Sequence, residues 1–374
     1  MWLFYFLVFL VFFVYALCSN LRNGEKFYLF IMFGIFGILM MFRGETVGND
    51  TDRYIDIFNV VRKTSNLQTF IESSRYEKGY IYLNWVLSLI SDNPQILFIV
   101  TGAFTAFSFG RFIYKYSINA WMSVLMFLTL QFFDLTLTGV RQIVAIAVLL
   151  FSYDYLISRK LWRFLLLVFI ASTIHTSTIL FLIFYPLTSK KRGAFFYISS
   201  TAIAVFIYVS FRLILPIAGR LFPQYLKYLE GEGGSYSIEP KLGVFLMLAL
   251  WLILFVCAKV FGREQPSDIS DDISQNGSMP SQNVNYVHEI AVWMGIIMLF
   301  LALQGTILNR FKYIFSVPII VYFPNMLKTM DIGTRRIITI ATCIVFILYS
   351  IIIYTYRPEW QSTYPYTFFW QENF

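Results

Sequence analysis

The feature that most constrains this chain is a succession of apolar runs, each about the length a helix needs to cross a bilayer, roughly 17–25 residues. They fall at about 1–18, 27–42, 95–113, 119–133, 139–157, 194–215, 242–261, 288–307, 311–329 and 335–355. Within a bilayer, backbone N–H and C=O groups must be paired inside the segment, which a helix achieves. The expected fold is therefore all-α and polytopic, one integral membrane domain over 1–374 with about ten transmembrane helices. Composition agrees, with 58% hydrophobic and only 13% charged residues, too little charge to cover a soluble surface. The net charge of +8 sits in short clusters between apolar runs. That is how positive-inside loops look, so no nucleic-acid partner is expected.

Cys18, Cys257 and Cys343 lie inside apolar runs, with no CxxC and no Cys/His pair. Neither a disulfide nor a metal site is expected from them. Residues 1–18 lack a basic start and a small-x-small cleavage site, and read as an uncleaved membrane helix.

Two apolar segments do not fit a simple crossing. Residues 80–90, YIYLNWVLSLI, are too short, and 164–187 is interrupted by STIHTST at 172–178. The basic clusters decide both. They are Arg22/Lys26, Arg111/Lys115, Arg159/Lys160/Arg163, Lys190/Lys191/Arg192 and Lys328/Arg335/Arg336. If 80–90 lies along the surface and 164–187 dips and returns as a re-entrant hairpin with His175 near its tip, all five share one side. Both termini are then outside. This topology makes 43–94 an extracytoplasmic loop carrying a surface helix, 216–241 a second extracytoplasmic loop, and 262–287 a flexible, polar cytoplasmic loop. It also collects Arg141, Arg310 and the aromatic C-terminal tail on the outer face. The tail reads by default as an interfacial aromatic belt.

Polar residues on that face are the candidates for chemistry. In GNDTDRY, Gly48 permits a tight turn, and Asp50 and Asp52 stand two residues apart. The structural reading is a helix N-cap at Thr51 or Asp52. The functional reading is a carboxylate that serves as base toward a hydroxyl or as acceptor for sugar, with Tyr54 following. No other ligands accompany a metal-binding Asp-x-Asp, and no metal is expected. Arg141 opens a helix with Gln142 beside it. The structural reading is interfacial snorkelling, which a short outer loop disfavours; the functional reading is an always-charged planar fork among free helix N–H groups, which suits a diphosphate. His175, at the break of the hairpin, reads either as a hydrogen-bonded structural residue or as a base or phosphate donor. His288, beside a polar linker, reads as structural. Arg310, Lys312 and Tyr313 read as interfacial anchors or as a second arm of a diphosphate clamp. Glu77, Tyr80 and Asn84 are at helical spacing and either line a sugar groove or form a wet helix face.

In this order, G-N-D-T-D-x-Y at 48–54, E-x-G-Y at 77–80, G-V-R-Q-x-x-A at 139–145, STIHTS at 172–177 and N-R-F at 309–311 resemble the EpsG family of bacterial exopolysaccharide proteins, relatives of Wzy-type O-antigen and capsule polymerases. Many members carry a Gly-Thr-Asp turn where this chain has Gly48-Asn49-Asp50-Thr51-Asp52, which leaves Asp50 and Asp52 both open as the main carboxylate. The resemblance implies a GT-C-like glycosyltransferase in the bacterial cytoplasmic membrane, with its active side extracytoplasmic. It would join oligosaccharide repeats carried on undecaprenyl diphosphate, as both donor and acceptor, without a cofactor; a chain-length regulator is a further candidate partner. The residue reading then assigns catalysis to His175, Asp52 and Asp50, diphosphate binding to Arg141, Arg310 and Gln142, and sugar binding to Tyr54, Glu77, Tyr80 and Asn84. The rivals are a lipid-linked oligosaccharide flippase, a polysaccharide O-acyltransferase, and a non-catalytic synthase subunit.

Overall fold

The computed structural model of the protein describes residues 1–211, 213, 242–262, 281–304 and 308–371. The loop expected at 216–241 lies outside the described residues, as does 263–280. The last residues of the expected 262–287 loop are helical from Ser281 onward. Among the described residues the chain is all helical, with no strand and one isolated bridge, Arg43 to Phe368.

Six helices are long and apolar enough to cross a membrane: Gly24–Met41, Gln95–Tyr116, Val140–Ile157, Gly243–Phe261, Asn285–Gln304 and Ile332–Tyr356. A seventh crossing arises if the bent pair Ala120–Thr129 and Phe132–Thr138, angled at 51°, is one span. The sequence expects about ten. The shortfall is one of length, because Trp2–Cys18 and Ala194–Val209 are shorter than those six. The run expected at 311–329 is split into Asn309–Ser316 and Ile319–Thr329. Pro318 stands at that split and offers no N–H to continue the first helix. The chain is a multi-pass membrane protein. Phe6, Phe30, Trp162, Phe169, Phe206 and Ile337 are among its many exposed large apolar side chains, a surface that fits lipid and not water.

The elements that matter below are α1 (Trp2–Cys18), α2 (Gly24–Met41), α3 (Thr51–Lys63), α4 (Leu67–Ser73), α5 (Lys78–Ser88), α6 (Gln95–Tyr116), α7 (Ala120–Thr129), α8 (Phe132–Thr138), α9 (Val140–Ile157) and α10 (Leu161–Ile174). Buried Phe33 and Phe36 of α2, Phe109 of α6, Phe127 of α7 and Phe133 of α8 meet with ring centroids 5.0–6.4 Å apart. Such aromatic packing fills the core and fixes how α8 leaves α7. The bend falls at Gln131, which takes a left-handed φ of 63°.

The two ends of the bundle are chemically different. At one end, Arg111 and Lys115 both pair with Asp154, and Arg159 donates to Tyr185 O at 2.9 Å and Thr188 Oγ1 at 3.1 Å. Tyr286 donates to Lys190 O. Asn325 holds Tyr116 O at 2.7 Å, and Lys328 is within electrostatic reach of Glu25. The basic clusters are thus tied together at one end. The bonds from Arg159 also show that 164–187 goes out and comes back. α10 runs to His175, a 3-10 turn over Thr176–Ile183 returns, and Phe164 meets Tyr185 with ring centroids at 5.4 Å. The opposite end carries α3, α4, α5 and the C-terminal tail.

Candidate functional site

The turn before α3 is built from three directions. Gly48 has φ +90°, and a Cβ there would stand 2.3 Å from Leu137 O of α8, so no other residue fits without moving backbone. Gly48 N donates to Ser362 O at 2.9 Å, and Asn49 Nδ2 donates to Glu359 O at 3.1 Å and Trp360 O at 2.8 Å. Gly44 N donates to Thr367 O at 2.8 Å and Phe369 N to Phe42 O at 3.1 Å. The aromatic tail is also a strap whose backbone holds the turn. Its local sequence carries no sign of this, because carbonyls are the same in every residue.

The N-cap of α3 is Asp50, one residue before Thr51 and two before Asp52, the expected caps, and its side chain makes no cap bond. Thr51 Oγ1 turns back to Val47 O. Asp50 pairs with Arg53 at 3.2 Å, and Asp52 is exposed. Tyr54 points inward and is buried.

Glu77 is the N-cap residue of α5, in extended backbone, and makes no cap bond because its carboxylate is used elsewhere. Oε2 accepts from Arg141 Nη1 at 2.6 Å, Oε1 accepts from Thr176 N at 3.2 Å, and His175 Nδ1 stands 3.4 Å from Oε1. The His175 ring N–H is not aimed along that line, so the contact is electrostatic and not a formed hydrogen bond. Gly79 permits this. A Cβ there would lie 2.7 Å from Thr173 O, so the first turn of α5 rests directly on the end of α10. His175 itself breaks the hairpin in extended backbone at φ −147°, ψ 105°. Burial alone raises the Glu77 carboxyl, but the contact with His175 and the charge of Arg141 override it and hold it at about 2.

Arg141 is the second residue of α9, and its guanidinium lies over the rings of Tyr76 at 4.8 Å and Tyr80 at 5.8 Å. Tyr54 and Tyr80 meet edge-on at 6.1 Å. Burial raises the Tyr54 hydroxyl, opposed by the charges of Arg141 and Arg310. Gln142 Nε2 donates to Arg310 O at 2.6 Å, which fixes the amino end of the helix Asn309–Ser316 beside that of α9. Arg310 itself is exposed.

Glu77, Tyr80, Arg141, His175, Tyr54, Gln142 and Arg310 are therefore brought together. Asp52 is not, and Asp50 reaches the cluster only through its charge on Tyr54. The face expected as a sugar groove or wet face turns inward, with Tyr80 and Asn84 buried and Asn84 Nδ2 bonded to Tyr80 O at 2.8 Å. Lys312 and Tyr313, read as possible anchors at the interface, are buried, and Lys312 Nζ is 2.6 Å from Met247 Sδ.

Sequence reasoning passed over Arg43. It is 2% exposed, stacks over Phe98 at 4.2 Å and donates to Thr136 O at 3.3 Å. Its Nε and Nη2 have no partner, and burial lowers the guanidinium to about 10. Its position one residue before Gly44 gave no signal beyond a charge next to an apolar run. No group of three His, Cys, Asp or Glu that could hold a metal occurs among the described residues. A cavity of about 370 Å³ lined by Tyr15, Cys18, Glu25, Lys26 and Tyr114 opens at the basic end, away from this cluster.

The model of the EpsG family matches residues 26–368, and the chain belongs to that family. The family is linked to exopolysaccharide biosynthesis. No curated protein matches the chain, and no solved structure does.

Proposed function

For this member of the EpsG family, we propose the role of a polysaccharide polymerase of the bacterial cytoplasmic membrane. It joins oligosaccharide repeats carried on undecaprenyl diphosphate at the outer face, in a GT-C-like bundle. The observation that carries the reading is that one carboxylate, Glu77, touches both Arg141 and His175. A cation for a leaving group and a candidate base thus share one small site. The positive-inside rule supports an extracytoplasmic site, since the basic clusters occupy the other end. Ten crossings follow if the bent pair α7 and α8, α1, the helix Ala194–Val209 and the pair Asn309–Ser316 with Ile319–Thr329 each cross as well.

In this reading one lipid-linked chain is the donor. The acceptor's sugar hydroxyl attacks the anomeric carbon as the bond from that carbon to the diphosphate oxygen breaks. The diphosphate leaves with the bonding electron pair, and Arg141, with Arg310 nearby, stabilises its charge. The hydroxyl proton goes to His175. Asp52, exposed and apart from Arg141, is disfavoured as the base. Gln142 serves by fixing Arg310, the buried rings of Tyr54 and Tyr80 back the Arg141 guanidinium, and a chain-length regulator would meet the outer face. A flippase needs a polar path through both leaflets, whereas these polar side chains cluster at one end.

The test is a strain lacking this protein. Single repeats should accumulate on undecaprenyl diphosphate at the outer face, cleared by wild type and not by Arg141→Ala. Units trapped at the inner face would mean a flippase.

A further inference from the structure

The Glu77 carboxylate, at the start of α5, has three contacts from two other elements: Arg141 at the start of α9, and Thr176 N and His175 Nδ1 at the hairpin break. Only Oε2 faces Arg141. The other oxygen is turned to the hairpin, so the guanidinium receives a single-oxygen contact from Glu77. Its Nε is buried with no partner. An arginine fork is strongest when two oxygens meet it side by side. The two phosphoryl groups of a diphosphate present such pairs of oxygens, and Glu77 does not.

Glu77 also cannot follow Arg141 away from the hairpin. It is the N-cap residue of α5, and two residues on Gly79 sits against Thr173 with no room for a Cβ, which seats the start of α5 on the hairpin. If a ligand displaces Oε2 from Arg141, the carboxylate remains beside Thr176 N and His175. Nδ1 is the ring nitrogen that faces it, 3.4 Å from Oε1, and a small turn of the ring that brings its N–H onto Oε1 leaves Nε2 as the acceptor.

We propose that Glu77 is a positioning residue that couples the two halves of the site. It occupies Arg141 until a lipid diphosphate replaces it, and then serves His175 alone, holding the ring with Nε2 toward the acceptor hydroxyl. This rests on the reading of Arg141 as diphosphate ligand and His175 as base.

The experiment uses the full chain in lipid nanodiscs and reads two quantities: binding of undecaprenyl diphosphate, and polymer formed from lipid-linked repeats. In Glu77→Gln the competing charge is gone, so binding is expected to tighten about tenfold, the scale of one charge-assisted hydrogen bond. Turnover is expected to fall roughly 100-fold, the scale of a general base that is no longer positioned. Glu77→Asp should restore part of the turnover. A merely structural latch would lose binding and turnover together in Glu77→Gln, and that result overturns the proposal, as does unchanged turnover. If wild type binds and polymerises while Glu77→Gln matches it in both, the role of Glu77 alone fails. If wild type shows no diphosphate binding, the reading of Arg141 fails and this proposal with it. Should Glu77→Gln not fold, Glu77→Asp decides by the same split, and an equal loss of binding and turnover overturns the proposal.

Discussion

Glu77 Oε2 and Arg141 Nη1 stand 2.6 Å apart although 64 positions separate them in the chain. Their side chains are only 15% and 23% exposed. A pair this sheltered is screened far less than a surface ion pair. It joins the short helix α5 to the start of the long apolar helix α9, at the tip of a hairpin.

Replacing Arg141 is expected to stop polymer formation. Arg141→Ala should lower turnover by roughly 100- to 1,000-fold, the usual scale for losing a group that stabilises developing charge. Arg141→Lys should recover little, because a lysine does not offer a planar fork. Polymer length and accumulated single repeats on the lipid carrier report the outcome, and normal polymer from Arg141→Ala would falsify the assignment.

His175 and Asp52 should separate cleanly. His175→Ala is expected to lower turnover at least 100-fold, whereas Asp52→Ala, at an exposed position in the first turn of α3, should stay within a few-fold of wild type. The reverse order, read in the same polymer assay, would move the base to the turn.

The pH dependence of stability follows from Glu77. Its carboxyl is held below its ordinary 4.5, at about 2, so the ionised form favours the folded state. That contribution is fully present above pH 4.5 and is lost as pH falls through about 2. Thermal melts of wild type and Glu77→Gln should therefore differ at neutral pH and converge between pH 4.5 and 2. A constant gap across that window would show that the charge contributes nothing.

Two glycines should resist replacement for different reasons. Gly48→Ala must place a Cβ at φ +90° against Leu137 O, and should cost about 1–3 kcal/mol in stability. Gly79→Ala would push α5 off Thr173, with turnover falling more than stability. Denaturation midpoints beside the polymer assay distinguish the two.

Removing the tail from residue 357 should leave the membrane bundle inserted but free the turn. The acceptors for Gly44, Gly48 and Asn49 disappear together. Protease sensitivity should rise within 43–51 and polymer should fall. Unchanged cleavage in that segment would mean that α8 alone holds the turn.

The sequence by itself determined the helical membrane architecture, because apolar run length and backbone pairing are local properties. It also placed the break at His175 and the return of the chain, because the basic residues on either side had to share a face. It singled out Arg141 and Glu77, but not that one holds the other. Only tertiary structure decided that, through the close seat of Gly79 on Thr173. The same holds for the tail strap, whose carbonyls accept from Gly44, Gly48 and Asn49 and leave no mark in the local sequence, and for the burial of Arg43 and Lys312. Their charges look in sequence like interfacial residues, and only the packing of distant helices around them takes them out of water. The bend at Gln131 is likewise a product of packing, with Phe127 and Phe133 drawn into one aromatic cluster from the two sides of the break.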